Sequence, residues 1–357
     1  MRALRPTSDR YRFAFAPAVV GLALAATTLS PSAEAQDFYG GRTITIIAGA
    51  GAGGGHDIFA RMLGRYLTKH IPGGPTVIVQ NMPGAGGKRA TDFIFNAAPK
   101  DGTTIGGVFP GAIVGPLLEE GSKERYDPLK FQYIGSGDSD TRICATLKTS
   151  TKIKDFKDIL TLPEPAVFGA SGPGGSTYDY AKMVQALAGG KVKIVTGYTG
   201  TPPITLAMER GEVDALCGYG WSIFKSEKPN WKTDNILRFL VQMSITPDPE
   251  LVSLGVPDFN SFLSGDNRKA SELILGQQAF SRPYIAPPET PADRVEILRT
   301  AFAKSLADPA LVAEFAKINI VNQPASGVEL QALVKKMYST APEIVALARA
   351  ALKPEGK

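Results

Sequence analysis

Twice in the first hundred residues a β-like run ends in a glycine-rich loop that turns into a helix. The first run is Thr43–Ala48, followed by Gly49-Ala50-Gly51-Ala52-Gly53-Gly54-Gly55-His56-Asp57 and the helix-like Ile58-Phe59-Ala60-Arg61-Met62-Leu63. The second is Val77-Ile78-Val79-Gln80, followed by Asn81-Met82-Pro83-Gly84-Ala85-Gly86-Gly87 and another helical run. Glycine lets backbone N–H groups approach a ligand closely, and a helix start adds the positive end of its dipole. Two such loops side by side make a cradle for an anion.

The pattern continues. Phe59, Met62, Leu63, Tyr66 and Leu67 fall on one helical face, as do Ala90, Phe93, Ile94 and Ala97. Thr103–Val108 reads as a third strand. The middle of the chain repeats the unit: the strand Ala166–Ala170, a loop from Ser171 to Thr177, a helix to Ala188, the strand Val192–Val195, a loop from Thr196 to Pro203, a helix through Arg210, and a strand from Val213. Short apolar strands alternating with amphipathic helices predict parallel sheets flanked by helices, with ligand loops at the strand C-termini. The tail reads as helices that return to brace the first lobe, with lobe crossings near 135–141 and 240–246.

The N-terminus is a different kind of segment. Arg2, Arg5, Arg10 and Arg12 precede an apolar stretch from Phe13 to Leu29, and Ala33-Glu34-Ala35 places small residues at a cleavage site. This predicts a secretory signal peptide over 1–35; the stretch is short for a membrane span, which needs ~20 apolar residues. The protein is then expected in the periplasm, and 36–357 is long enough for two lobes. The expected lobes are 36–140 plus 242–357, and 141–241.

Composition narrows the chemistry. The net charge is +5 with the basic residues scattered, which gives nucleic-acid binding no support. Only two histidines, His56 and His70, are present, and no His/Cys cluster has metal-ligand spacing. No cofactor or metal is expected. Gly49-x-Gly51-x-x-Gly54 matches a dinucleotide fingerprint in form, but Val79-Gln80-Asn81 offers no acid for a ribose. Gly169-Ala170-Ser171-Gly172-Pro173 only half matches a nucleophile elbow. Cys144 and Cys217 lie in β-like runs; export permits a disulfide if those strands are neighbours, and two buried thiols are the alternative.

The ordered motifs resemble a family. Gly54-Gly55-His56-Asp57-Ile58-Phe59-Ala60-Arg61, Asn81-Met82-Pro83-Gly84-Ala85-Gly86-Gly87 and Pro99-Lys100-Asp101-Gly102-Thr103-Thr104 are similar to segments of the substrate-binding receptors of tripartite tricarboxylate transporters, the TctC or Bug proteins. Phe168 to Ser176, Gly197-Tyr198-Thr199-Gly200, Gly211-Glu212-Val213-Asp214 and Ala286-Pro287-Pro288-Glu289-Thr290-Pro291 continue the resemblance over nearly the whole exported chain. It implies a two-lobed α/β flytrap that grips a ligand carboxylate between the first two loops and delivers it, as a monomer, to membrane transporter subunits. His56 stands where many members carry a small polar residue.

The expected ligand-binding residues are Gly51, Gly53, Gly54, Gly55, His56, Asn81, Gly84, Ala85, Gly86 and Gly87 in the first lobe. In the second lobe they are Ser171, Gly174, Ser176, Thr177, Tyr198, Asp214, Tyr219 and Trp221. Charge-assisted bonds from backbone amides suit a carboxylate without needing a lysine. Asp57 has two readings, a tie on the loop amides or a ligand contact. So does Asp214, which could accept from a ligand hydroxyl or ammonium, or bond within its lobe. Tyr198, Tyr219 and Trp221 could stack on a flat ligand or fill a core. The expectation is a binding protein rather than an enzyme. A sensor for a membrane kinase and an exported hydrolase are the competing functions.

Overall fold

A computed structural model describes residues 38–354, apart from positions 120, 122, 123, 319 and 321. The expected signal peptide over 1–35 lies outside the described residues. Among those described, no helix is long and apolar enough to cross a membrane.

Eleven strands form two sheets among the described residues: β1 Thr43–Ala48, β2 Thr76–Asn81, β3 Thr104–Gly107, β4 Gln132–Ser136, β5 Arg142–Leu147, β6 Ala166–Gly169, β7 Val192–Val195, β8 Ala215–Gly220, β9 Leu237–Met243, β10 Pro283–Ala286 and β11 Ala325–Ser326. The first sheet has the order β11-β4-β10-β3-β1-β2 and the second β7-β6-β8-β5-β9. Each holds a parallel nucleus of β-loop-helix units: β2-β1-β3 in one, β7-β6-β8 in the other. The sheets are mixed rather than mainly parallel. β10 runs antiparallel to β3 and β4, and β5 runs antiparallel to β8 and β9. Strands that enter after the chain has changed lobe arrive from the opposite edge, which reverses them.

Local sequence explains the first unit. Thr43-Ile44-Thr45-Ile46 alternates, and Ile44 and Ile46 are buried. The helix Gly55–His70 presents Phe59, Met62, Leu63, Tyr66 and Leu67 to the same core. Each such large apolar side chain contributes roughly 1.5–3 kcal/mol. Late helices Ala292–Ala307 and Pro309–Lys317 brace this lobe, with Phe315 stacked on Phe59 at 4.8 Å. The last helix, Pro342–Leu352, does more than brace the first lobe. It packs on the helices Gly265–Leu275 and Pro110–Leu118 and on Ser176–Ala188 of the second unit.

The return crossing also lies later than the sequence suggested. After β9 the chain stays with the second sheet: Phe156 packs on Phe259 at 5.8 Å and on Phe262 at 4.6 Å, and Asp248 N donates to Gln242. The apolar residues at 259 and 262 cover that sheet before the chain leaves. The two crossings then pair with each other. Gly137 N donates to Arg282 O at 2.9 Å, Ser281 N to Asp138 O at 2.9 Å, and Asp140 N to Gln278 O at 3.2 Å. Residue 137 must be small, because a Cβ there would stand 2.1 Å from Phe59 Cζ.

Cys144 on β5 and Cys217 on β8 form a disulfide between neighbouring strands of the second sheet.

Candidate functional site

In the first lobe β1 and β2 run parallel and in register, so their loops emerge side by side. Met82 N reaches back to Ala48 O at 2.8 Å. Asp57, buried in the first helical turn, accepts from Gly53 N at 2.8 Å, from Arg61 Nε at 3.1 Å and from Asn81 Nδ2 at 2.7 Å. Asn81 Nδ2 also donates to Ala50 O, and its Oδ1 accepts from Arg61. Burial alone would raise the Asp57 carboxyl, but its bonds to Arg61, Gly53 and Asn81 hold it below its ordinary value. Asp57 is therefore the knot of the loop. The side chain of Asn81 is engaged in the same knot.

The second loop takes a conformation that needs glycine. Gly84 to Gly87 all have positive φ, at 134°, 46° for Ala85, 61° and 86°. A Cβ on Gly87 would meet Phe109 Cδ2 at 2.6 Å, while around Gly86 there is open space. Gly51, Gly53 and Gly55 likewise have nothing near a Cβ, so both loops expose their backbone; Gly54 lies close to Gly51 O.

Six helices begin at or beyond the C-terminal edges of the two sheets: Gly55–His70, Lys88–Asn96, Pro110–Leu118, Ser176–Ala188, Thr201–Glu209 and Trp221–Glu227. None of the six has a side-chain cap, and at five of them glycine is the capping residue. Elsewhere Asp155, Asp248, Asp308 and Ser326 cap helices, while Gly265–Leu275, Ala292–Ala307 and Pro342–Leu352 also lack a side-chain cap. The first amides of an α-helix have no intrahelical acceptor and need one from outside. The starts of Gly55–His70, Lys88–Asn96 and Ser176–Ala188 collect such donors, whereas at Trp221–Glu227 the first two amides are accepted by Thr141 O and Asp140, and Pro110, Pro202 and Pro203 have none to give.

In the second lobe Ser171 and Thr177 are mutually bonded: Thr177 Oγ1 accepts from Ser171 N at 2.9 Å and lies 3.0 Å from Ser171 Oγ. Ser176 Oγ donates to Gly218 O at 3.1 Å. These hydroxyls fix the loop. Gly174, with φ of +81°, has open space around it and donates its N–H to Asp179 at 3.0 Å.

Three expected residues are placed elsewhere. Asp214 precedes β8, at the edge of the sheet opposite the loops. Its carboxylate bonds Lys152 Nζ at 2.6 Å and Val167 N at 2.7 Å, so it serves its own lobe. Tyr219 and Trp221 are core residues, about 1 % and 2 % exposed, in an aromatic cluster with Phe224 and Phe239. The Tyr219 hydroxyl bonds Glu227, and burial raises its pKa. Tyr198 is half-buried against that same core. No aromatic platform is formed by these three, which removes the sequence argument for a flat ligand.

At the base of the cleft the crossings carry a polar cluster the sequence reading missed. Arg282 bonds Asp138 at 2.6 Å and lies over the Phe59 ring; Arg142 bonds Asp140 at 3.0 Å; Gln278 Nε2 donates to the Tyr180 hydroxyl. His56 is half-buried. Its ring lies 4.2 Å from that of Phe109, with Nε2 buried and unpartnered among the described residues. Burial first, and the Arg282 charge second, depress its pKa to about 4. Helical spacing in the sequence gave no sign of this cluster, because most of it forms between segments distant in the chain.

Between the lobes a cavity of about 670 Å³ is lined by Gly111, Gly115, Gly174, Asp179, Gln277 and Arg349, among others.

No protein-family model matches the chain. A TctC solute-binding protein from Polaromonas superposes with a TM-score of 0.68 at 18 % identity, covering 87 % of this chain and 98 % of its own. The fold is that of the TctC solute-binding proteins. MatC from Rhodopseudomonas palustris, solved with bound malate, superposes with a TM-score of 0.54 at 20 % identity over 87 % of this chain and 99 % of its own. In sequence, a UPF0065 protein of Agrobacterium vitis is 26 % identical over 313 residues, 85 % of this chain and 82 % of the relative.

Proposed function

We propose that this TctC-like protein is a periplasmic receptor that captures a small carboxylate between its lobes and hands it to membrane transporter subunits. The observation that carries the reading is the set of glycine-led helix starts Gly55–His70, Lys88–Asn96 and Ser176–Ala188, beside two loops whose glycines leave the backbone open. Such donors suit an anion. A TctC-like neighbour holds malate, and a further Rhodopseudomonas palustris protein of similar fold holds adipate. Export rests on the signal-like residues 1–35.

The lobes we assign follow the sheets, with the second lobe running from 141 to about 262 and the rest forming the first. A monomer suffices, since one chain supplies both jaws. A hydrolytic role finds little support: Ser171 is bonded to Thr177, and the imidazole of His56 lies against Phe109.

The test is a thermal-shift screen against small carboxylic acids, with the protein first unfolded and refolded to strip carried-over ligand. Saturation at ~100 times Kd adds about 2.7 kcal/mol of stability. Gly86→Val finds open space for its side chain but strains the left-handed backbone of the loop; it should melt cooperatively yet lose at least tenfold in affinity. Unchanged affinity would remove the second loop from the site.

A further inference from the structure

We infer that the last helix, Pro342–Leu352, is a strap that limits how far the two lobes can part, a third connection beside the crossings at 137–140 and 278–282.

The chain reaches this helix from the first lobe. The helix Gly327–Tyr338 lies on β4 of the first sheet, and Ser339, Thr340 and Ala341 lead from it to Pro342. Yet the apolar side of the last helix, with Ile344, Val345 and Ala348, is buried in a core shared with Tyr180 and Val184 of the second-lobe helix Ser176–Ala188. It also packs on Gly265–Leu275. That helix is fastened to the second lobe, where Asn267 Nδ2 donates to Leu187 O at 2.9 Å. The chain therefore passes between the lobes once more at 339–341.

Its hold on the first lobe is polar and local. Arg349 Nε and Nη2 both donate to Leu117 O, at 3.0 and 2.8 Å. Leu117 is in the last turn of Pro110–Leu118, where carbonyls lack helical donors and a cation meets the negative end of the dipole. At the root of the strap the Tyr338 hydroxyl donates to Ile113 O of the same helix at 2.7 Å.

Beside these attachments a cavity of about 670 Å³ lies between Gly111 and Gly115 of the first lobe and Pro173 and Gly174 of the second, and Ala346, Arg349 and Ala350 of the strap line it. A swing that widens this gap must pull Arg349 from Leu117 O or strip the apolar side of the strap from Ser176–Ala188. The first breaks two hydrogen bonds from a charged donor, and the second returns buried apolar surface to water. Both resist parting of the lobes on this side.

The test measures lobe separation directly. Cys144 and Cys217 are tied to each other, so nitroxide labels attach to introduced cysteines alone. Thr76→Cys on β2 and Lys193→Cys on β7 supply them. Both positions are exposed and lie on the edge strands most removed from the crossings, where a swing moves them furthest. Distance distributions are recorded by pulsed electron paramagnetic resonance on protein unfolded and refolded to strip carried-over ligand. Arg349→Met keeps an apolar stem and removes both donors. Its distribution should broaden and shift to longer distances than that of the wild type, with cooperative melting retained. Tyr338→Phe, which removes only the bond to Ile113 O, should shift it the same way by less, and it decides the matter should Arg349→Met fail to fold. A distribution that superposes on the wild type, even with a lowered melting temperature, overturns the inference and leaves the helix a brace. So does a shift to shorter distances. No cargo enters the measurement, so the strap can fail while the receptor reading stands, and the reverse.

Discussion

His56 shows how a single residue's role depends on its surroundings. In the sequence it stands in a glycine loop and invites a ligand contact. In the fold it lies against Phe109 near Arg282 and is held neutral, with its pKa lowered to about 4. The unfolded chain binds a proton on this residue at about pH 6.5, so the contribution of His56 to stability is fully present above that value and is lost as pH falls towards 4. Denaturant titrations of wild type and His56→Gln at pH 4.5 and 7.5 check this. The wild type should lose more stability between the two than the variant does; equal losses would mean the imidazole carries its proton in the fold.

At the scale of elements, most helices at the C-terminal sheet edges start from glycine rather than from a capping side chain. Gly54 caps Gly55–His70 in an extended conformation open to any residue, with Gly51 O 3.2 Å from where a Cβ would stand. Gly54→Ser supplies the missing acceptor. It should raise stability by a few tenths of a kcal/mol and weaken ligand binding, because the serine competes for the same amides. A thermal melt paired with a titration checks both signs, and gained stability with unchanged affinity would take that helix start out of the site. The elements themselves were legible in the sequence. β1, β2, the helix Gly55–His70 and the second-lobe units around β6 and β7 fall where alternation, helical spacing and glycine punctuation put them, since those signals are local. Strand direction was not legible for β5 and β10, which pair with strands far off in the chain.

For the whole molecule, the disulfide and the paired crossings set what moves. Cys144–Cys217 closes a loop spanning 73 residues, which includes β6, β7 and the helices between them, and so holds the second lobe as one body. Replacing both cysteines with serine should cost about 2–4 kcal/mol. A smaller change under non-reducing denaturant titration would show that packing alone keeps the lobe together. The crossings 137–140 and 278–282 hydrogen-bond as a short ribbon, the narrow point about which closure of two lobes would turn.

The sequence by itself determined the repeating β-loop-helix units and the glycine loops, because each depends on residues within a few positions of one another. Tertiary structure alone decided that Asp214 faces away from the cleft, that Tyr219 and Trp221 are core, and that Asp179 lines the space between the lobes. Those outcomes depend on which edge and which face of a sheet a residue occupies. Edge and face are fixed by pairing with distant strands and by the way the chain crosses from one lobe to the other.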